Sequence, residues 1–175
     1  NPPSCKGCFV GILDKIVSQL SAMLSHHYKD LICIEIFPVV DFSEDNKLFS
    51  RFIEKFKKRL RIRFGLSRVG YVWVREHGKS EAQHYHLVLF LDGNKVNIHH
   101  SIFKIAEEMW TARNQPRPAF PSSRSYYNLT RGQCAFVDSA IYHLSYMAKV
   151  HTKENKPLTT NRYGGSTIEA WPSPN

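Results

Sequence analysis

Apolar residues recur at helical spacing near the start of the chain. Phe9, Ile12, Leu13, Ile16, Leu20, Met23 and Leu24 predict an amphipathic helix over about 9–28. The pattern then changes to a nearly continuous apolar run, Leu31-Ile-Cys-Ile-Glu-Ile-Phe37, which reads as a buried strand closed by Pro38. Phe49, Phe52, Ile53, Phe56 and Leu60 restore the helical period, and the other faces of that segment carry Lys47, Arg51, Lys55, Lys58, Arg59 and Arg61. Two strand-like segments follow, Val69 to Glu76 and His84 to Leu91, joined by a polar link from His77 to Gln83 that suits antiparallel neighbours. Ile98, Ile102, Ile105, Ala106 and Met109 predict a third helix. A loop containing Pro116, Pro118 and Pro121 leads to a short strand at Ser125 to Leu129. A fourth helix runs from Cys134 to about Val150, and the tail after about residue 156 reads as a loosely ordered loop.

A chain of 175 residues supports one domain with a core and is too short for two ordinary ones, so residues 1–175 are read as a single domain. No apolar run approaches the roughly 18 residues that cross a bilayer, which argues against a membrane partner. The 24 Lys+Arg against 15 Asp+Glu give a formal charge of +9, which favours a polyanionic partner such as nucleic acid. Of the cysteines, Cys33 falls in a strand-like run. Cys5-Lys-Gly-Cys8 has the spacing of half a zinc knuckle, for which His26 and His27 would have to supply the other half. With no secretory signal pattern, the expected setting is reducing and cytoplasmic.

The chemistry concentrates in His84-Tyr85-His86. Alternate residues of a strand share a face, so the two imidazoles lie side by side and can chelate a metal. If the polar link returns the chain symmetrically, Glu76 lies opposite His84, Val74 opposite His86 and Val72 opposite Val88, which adds a carboxylate on the same face. A one-residue slip would send Glu76 away and leave His77 as the substitute ligand. Two histidines and a carboxylate with open positions suit Mn2+, Co2+, Ni2+ or Zn2+, and can take Mg2+ where it is abundant. On the fourth helix Val137, Ile141, Leu144 and Ala148 form an apolar stripe, whereas Tyr142, Tyr146 and Lys149 share another face. A phenol ordinarily titrates near 10, and a neighbouring cation is what makes it a nucleophile at neutral pH. The bland alternatives are hydrogen-bonded strand histidines and tyrosines packed on the sheet.

Glu76, then His84-Tyr85-His86 opening an apolar strand, then Tyr146-Met-Ala-Lys149 on a later helix resembles the HUH endonucleases of the rolling-circle replication initiator type. The order supports that type, because the tyrosine of conjugative relaxases precedes the histidine motif. The run Lys149-Val150 with Thr152-Lys153 is similar to initiators related to filamentous inoviruses. The resemblance implies an α+β, ferredoxin-like fold with a central antiparallel sheet flanked by helices. It implies a divalent metal (Mn2+ or Mg2+) on Glu76, His84 and His86. Tyr146 would attack the scissile phosphate to leave a 5′-phosphotyrosine and a free 3′-hydroxyl, and Lys149 would steady the phosphate. Tyr142, four residues before Tyr146, has the spacing of a second nucleophile, although Ser145 stands where a lysine would accompany it.

Single-stranded DNA at an origin, in some members a hairpin, is the partner this implies, with host helicase and polymerase acting after the nick. DNA contacts are expected from Arg51, Lys55, Lys58 and Arg59 on the second helix. Arg113, Arg117 and Arg124 in the loop and Arg162 in the tail are further candidates, with Tyr126, Tyr127 and Tyr163 as stacking platforms. Three rivals keep part of this chemistry. A non-catalytic DNA-binding module would use the charge and the aromatic residues, with His84, His86 and Tyr146 structural, a metal-dependent phosphodiesterase would activate water in place of Tyr146, and a transposase-like enzyme would share the site but differ in target and partners.

Overall fold

The alternation of side chains along the first strand sorts the core into two layers. In the computed structural model, which describes residues 7–77, 82–121, 124–149 and 160–172, strand β1 (Lys29–Pro38) follows helix α1 (Val10–His26). Leu31, Cys33 and Phe37 point to one face of the sheet, whereas Ile32 and Ile34 point to the other. Helix α2 (Lys47–Phe64) comes next, then β2 (Gly70–Glu76), β3 (His84–Asp92), α3 (His99–Thr111), β4 (Tyr126–Thr130) and α4 (Cys134–Leu144). A 3-10 turn, Ser145–Ala148, continues α4, and β5 (Tyr163–Gly165) completes the described elements. The fold is α+β, with a five-stranded, wholly antiparallel sheet in the order β4-β1-β3-β2-β5 and four helices.

Helices α2 and α3 cover one face through Phe49, Phe52, Phe56, Leu60, Ile102, Ala106 and Trp110, all with almost no solvent exposure. Helix α1 and the α4 segment cover the other through Ile12, Ile16, Leu20, Met23, Ala140, Leu144 and Ala148. The periods read from the sequence place most of the apolar sets inward; Ile98 is the exception, since α3 begins only at His99 and Ile98, at its N-cap, is exposed. Helix α2 ends at Gly65, whose φ of 63° is left-handed and whose N–H bonds back to the Arg61 carbonyl. No helix among the described residues is long and apolar enough to cross a membrane.

Two segments depart from the sequence reading. The expected fourth helix stops at Leu144 and tightens into the 3-10 turn, with Lys149 already extended. In the tail, Tyr163–Gly165 pairs with Val72–Val74 as an edge strand. Gly164 makes this possible, since a Cβ there would sit 2.7 Å from the Trp73 indole. Val150 and residues 151–159, including Thr152-Lys153, lie outside the described residues, as does Cys5.

At the sheet end remote from the β2–β3 connection, Asp30 and Asp92 stand directly opposite each other in the β1–β3 register. Asp30 is 1% exposed, and its Oδ1 is 3.2 Å from Nδ1 of His27. Burial first, and the Asp92 charge second, push the Asp30 carboxyl up to about 8, against the opposing effect of Arg131. The folded state therefore holds a proton between the ordinary aspartate pKa and about 8 that the unfolded chain has released. This contribution to stability is complete below pH ~4 and is lost as pH rises through that window. Asp30→Asn should flatten this slope, gaining stability over the wild type more at pH 8 than at pH 5, as urea titrations at the two pH values would measure.

Candidate active site

The β2–β3 register is the symmetric one, with Val72 opposite Val88, Val74 opposite His86 and Glu76 opposite His84. Glu76 Oε2 consequently lies 3.2 Å from Nε2 of His86 and 3.4 Å from Nε2 of His84. The imidazoles are 5.0 Å apart between centroids and tilted by 65°. Atoms that share one ion at ~2.1 Å are separated by roughly 3.0–3.4 Å between right-angle and tetrahedral geometries, so these spacings match a chelating set. Among the described residues, this is the one grouping of three histidines, cysteines or carboxylates whose ligand atoms lie within 4.8 Å of one another. His84 Nδ1 is 3.0 Å from the Ala82 carbonyl, which makes Nδ1 the protonated nitrogen and leaves Nε2 as the donor toward a metal. The Glu76 side chain is 8% exposed and those of His84 and His86 17% and 20%, so the cluster is shielded but open on one side. The residues present can hold a divalent cation.

A buried polar cluster on the reverse face holds this end of the sheet, and the sequence reading did not find it. Arg75, between Val74 and Glu76, is 5% exposed and donates to the carbonyls of Ser43 and Glu44, to Asn46 Oδ1 and to Gln83 Oε1. Gln83 donates to the Tyr85 hydroxyl, which donates in turn to Asn46. The Tyr85 ring stacks on Phe49 at 4.1 Å between centroids and an interplanar angle of 2°. Arg75, Gln83 and Tyr85, each next to a triad member, are thus fixed from behind, which restricts rotation of the strand ends that carry the ligands. The available signal was the placement of Arg75, Gln83 and Tyr85 on the strand face opposite Glu76, His84 and His86.

Facing the triad's open side is a cleft of ≈ 810 Å³, lined among others by Glu76, His86, Arg124, Tyr142, Tyr146 and Lys149. Tyr142 and Tyr146 are 70% and 52% exposed, which removes the reading of both as sheet-packed core residues. Their rings meet edge to face at 6.1 Å, and the Lys149 ammonium sits 3.4 Å above the centroid of the Tyr146 ring. The apolar stripe that turns these groups outward includes Leu144, Met147 and Ala148. The start of α1 secures the 3-10 turn, because the Phe9 N–H bonds to the Ala148 carbonyl at 2.8 Å and Cys8 bridges Lys149.

The remaining sequence candidates divide. Arg124 lines the cleft, with its guanidinium 5.1 Å above the ring centroid of Tyr127. Arg162 lies over the Phe9 ring at 4.6 Å, and its carbonyl accepts the Arg75 N–H, which puts it beside the Glu76 end of β2. Arg51, Lys55, Lys58 and Arg59 stand on α2, across the sheet from the triad, because α2 covers the other face. Tyr126 shares that far face and stacks on His99 at 3.6 Å, and Tyr127 is buried with its hydroxyl 2.9 Å from His143 Nδ1. Neither is a free stacking platform, whereas Tyr163 is 36% exposed. Arg117 is paired with Glu107, and Arg113 lies over the Phe52 ring. His77 packs against Phe42 and not with the triad, because the symmetric register holds. For the zinc-knuckle pattern, His26 is engaged with the Glu169 carbonyl and His27 with Asp30.

No curated protein and no solved structure matches this chain. The family described as the YagK/YfjJ C-terminal domain matches residues 5–166, a span that takes in both strands of the triad, the two exposed tyrosines and the edge strand β5. The chain therefore belongs to the YagK/YfjJ C-terminal domain family.

Proposed function

We propose that this protein is a metal-dependent nickase of single-stranded DNA that initiates rolling-circle replication by tyrosine attack. The observation that carries the reading is the cleft in which exposed Tyr146, with Lys149 over its ring, faces the same space as Glu76 and His86. Two imidazoles beside one carboxylate favour Mn2+ over Mg2+ at equal concentration, and the abundance of Mg2+ in cells keeps both as candidates. A bound divalent cation would supply positive charge to a phosphate oxygen as the reaction proceeds.

The other parts belong to the chain. Arg124 gives a fixed guanidinium for a neighbouring phosphate, and Tyr142 offers a ring face to an unpaired base. The Tyr146 Oη attacks the phosphorus, the bond to the 3′ oxygen breaks, and the phenolic proton is lost as the leaving 3′ oxygen gains one. The products are a 5′-phosphotyrosine and a 3′-hydroxyl that a host polymerase extends, with a helicase opening the duplex ahead. The ester conserves the energy of the broken bond, so attack by a 3′-hydroxyl reverses the step and ligates.

Incubation with a varied pool of labelled single-stranded oligonucleotides and Mn2+, resolved on a denaturing gel, should give a covalent adduct. Tyr146→Phe and His84→Ala/His86→Ala should each lower its rate by about 10³-fold or more. Cleavage without an adduct would assign activated water in place of Tyr146, and binding without cleavage would leave a non-catalytic DNA-binding module. In calorimetric titration, wild-type protein should take up one Mn2+, and Glu76→Gln should weaken that affinity by about tenfold or more. Equal affinity in the variant would remove Glu76 from the ligand set.

A further inference from the structure

The basic helix α2 has no part in the cleft, yet its charge is the densest on the molecule's helices. Its 18 residues include Lys47, Arg51, Lys55, Lys57, Lys58, Arg59, Arg61 and Arg63 against the single acid Glu54. Some of this charge is used locally. Lys47 pairs with Asp45, Lys57 with Glu54 and Arg59 with Glu108, and Arg61 donates to the Ser67 carbonyl. Arg51, Lys55, Lys58 and Arg63 have no acidic partner among the described residues. Arg51, Lys55 and Lys58 recur at intervals of four and three residues, which makes a stripe along the outer side of the helix about 10 Å long at 1.5 Å per residue, while Arg63, five residues on, is turned away from that stripe at the end of the helix. Lys55, Lys58, Arg59, Ile62, Arg63 and Met109 border a shallow groove of ≈ 420 Å³ along this stripe.

What this surface lacks identifies its partner. The aromatic residues Phe49, Phe52 and Phe56 of α2 are fully buried, and Phe64 is partly buried against the same core, so no ring stands exposed on the outer face for stacking of unpaired bases. An acidic protein would want an aromatic or broad apolar anchor at the centre of the patch, and the groove supplies only Ile62 and Met109. Unpaired cations without rings are what a duplex backbone requires, since its affinity comes from phosphate neutralisation and its bases are already stacked. The cleft and the outer face of α2 thus differ in kind, with exposed tyrosines beside Arg124 and Lys149 in one and cations without exposed rings on the other.

We propose that the outer face of α2 is a second nucleic-acid surface that binds double-stranded DNA independently of the metal cleft. It holds a duplex segment while the opposite side of the sheet engages a single strand. This goes beyond the nicking reading, and duplex binding in the absence of metal tests it whether or not the protein cuts DNA.

Fluorescence anisotropy with a labelled 20-base-pair duplex and a single strand of equal length, in EDTA and over a range of salt concentrations, gives the test. Lys55→Gln/Lys58→Gln is compared with the charge-matched Lys15→Gln/Lys29→Gln on the other helix layer and first strand, with melting curves verifying that both fold. The α2 pair should lose about tenfold in duplex affinity at 0.1 M salt, and its log–log salt slope should fall by about two, since each neutralised phosphate contributes roughly 0.9. Single-strand affinity should change less than duplex affinity. Equal losses in the two double variants would mean that net charge and not this surface binds the duplex, and would overturn the proposal. So would an equal loss for duplex and single strand, or the absence of measurable duplex binding in EDTA.

Discussion

Everything at the candidate active site depends on one pairing, Glu76 opposite His84 across β2 and β3. A strand has a side-chain period of two, so a slip by one residue would turn Glu76 to the α2 side and bring Arg75 or His77 toward the imidazoles. A guanidinium there would repel a cation, and the chelating set would be lost. The register is held from both sides of the pair. On the cleft side Val72, Val74 and Val88 are fully buried under α1 and α4, and on the reverse side Arg75, Gln83, Tyr85 and Asn46 form a closed polar cluster. Either set would be misplaced by a slip, so a slip would bury unpaired polar groups as well as expose apolar ones.

The second half of the site is positioned by packing on a separate element. Leu144, Met147 and Ala148 bury against the same apolar face that carries the triad at its end, which fixes how Tyr142 and Tyr146 present themselves to the cleft. The shift from α-helix to 3-10 turn after Leu144 changes the angular spacing of the last residues, and the Phe9–Ala148 hydrogen bond ties that turn to the start of α1. The N-terminal helix is therefore a support for the tyrosine segment as well as a cover for the sheet. The sheet itself is a partition, since α2 and its cations lie on the face that the triad does not see.

The parts of this arrangement that were legible in the sequence are those governed by period and short connection. The seven-residue link His77 to Gln83 forces β2 and β3 to be neighbours, and matched valines then set the register that unites Glu76, His84 and His86. The same is true of the outward tyrosines, whose positions do not coincide with the apolar stripe of Leu144 and Ala148. Tertiary choices were not legible. Which face α2 covers depends on the path of the chain and not on its amphipathicity, so its basic residues could not be assigned to the cleft or away from it. Adjacent Tyr126 and Tyr127 alternate faces, yet both are packed, because His99 of α3 meets one ring and His143 of α4 the other hydroxyl, partners distant in sequence. Strand β5 consists of Tyr163-Gly-Gly and carries no alternation; its place follows from the fit of Gly164 against Trp73. Arg75 is a charged residue inside a strand, and its burial is explained by acceptors mostly distant in sequence, the carbonyls of Ser43 and Glu44 and the side chains of Asn46 and Gln83.

Under the proposed function, the β2–β3 register builds a metal site that faces the tyrosine cleft. The most direct measurement is an anomalous-difference map from crystals of the protein grown with millimolar Mn2+. A single strong peak at about 2.1–2.3 Å from Nε2 of His84, Nε2 of His86 and a Glu76 carboxylate oxygen, on the side open to Tyr146, is the predicted result. Peaks elsewhere on the molecule, with the three side chains bonded only to one another or to protein groups, would contradict it.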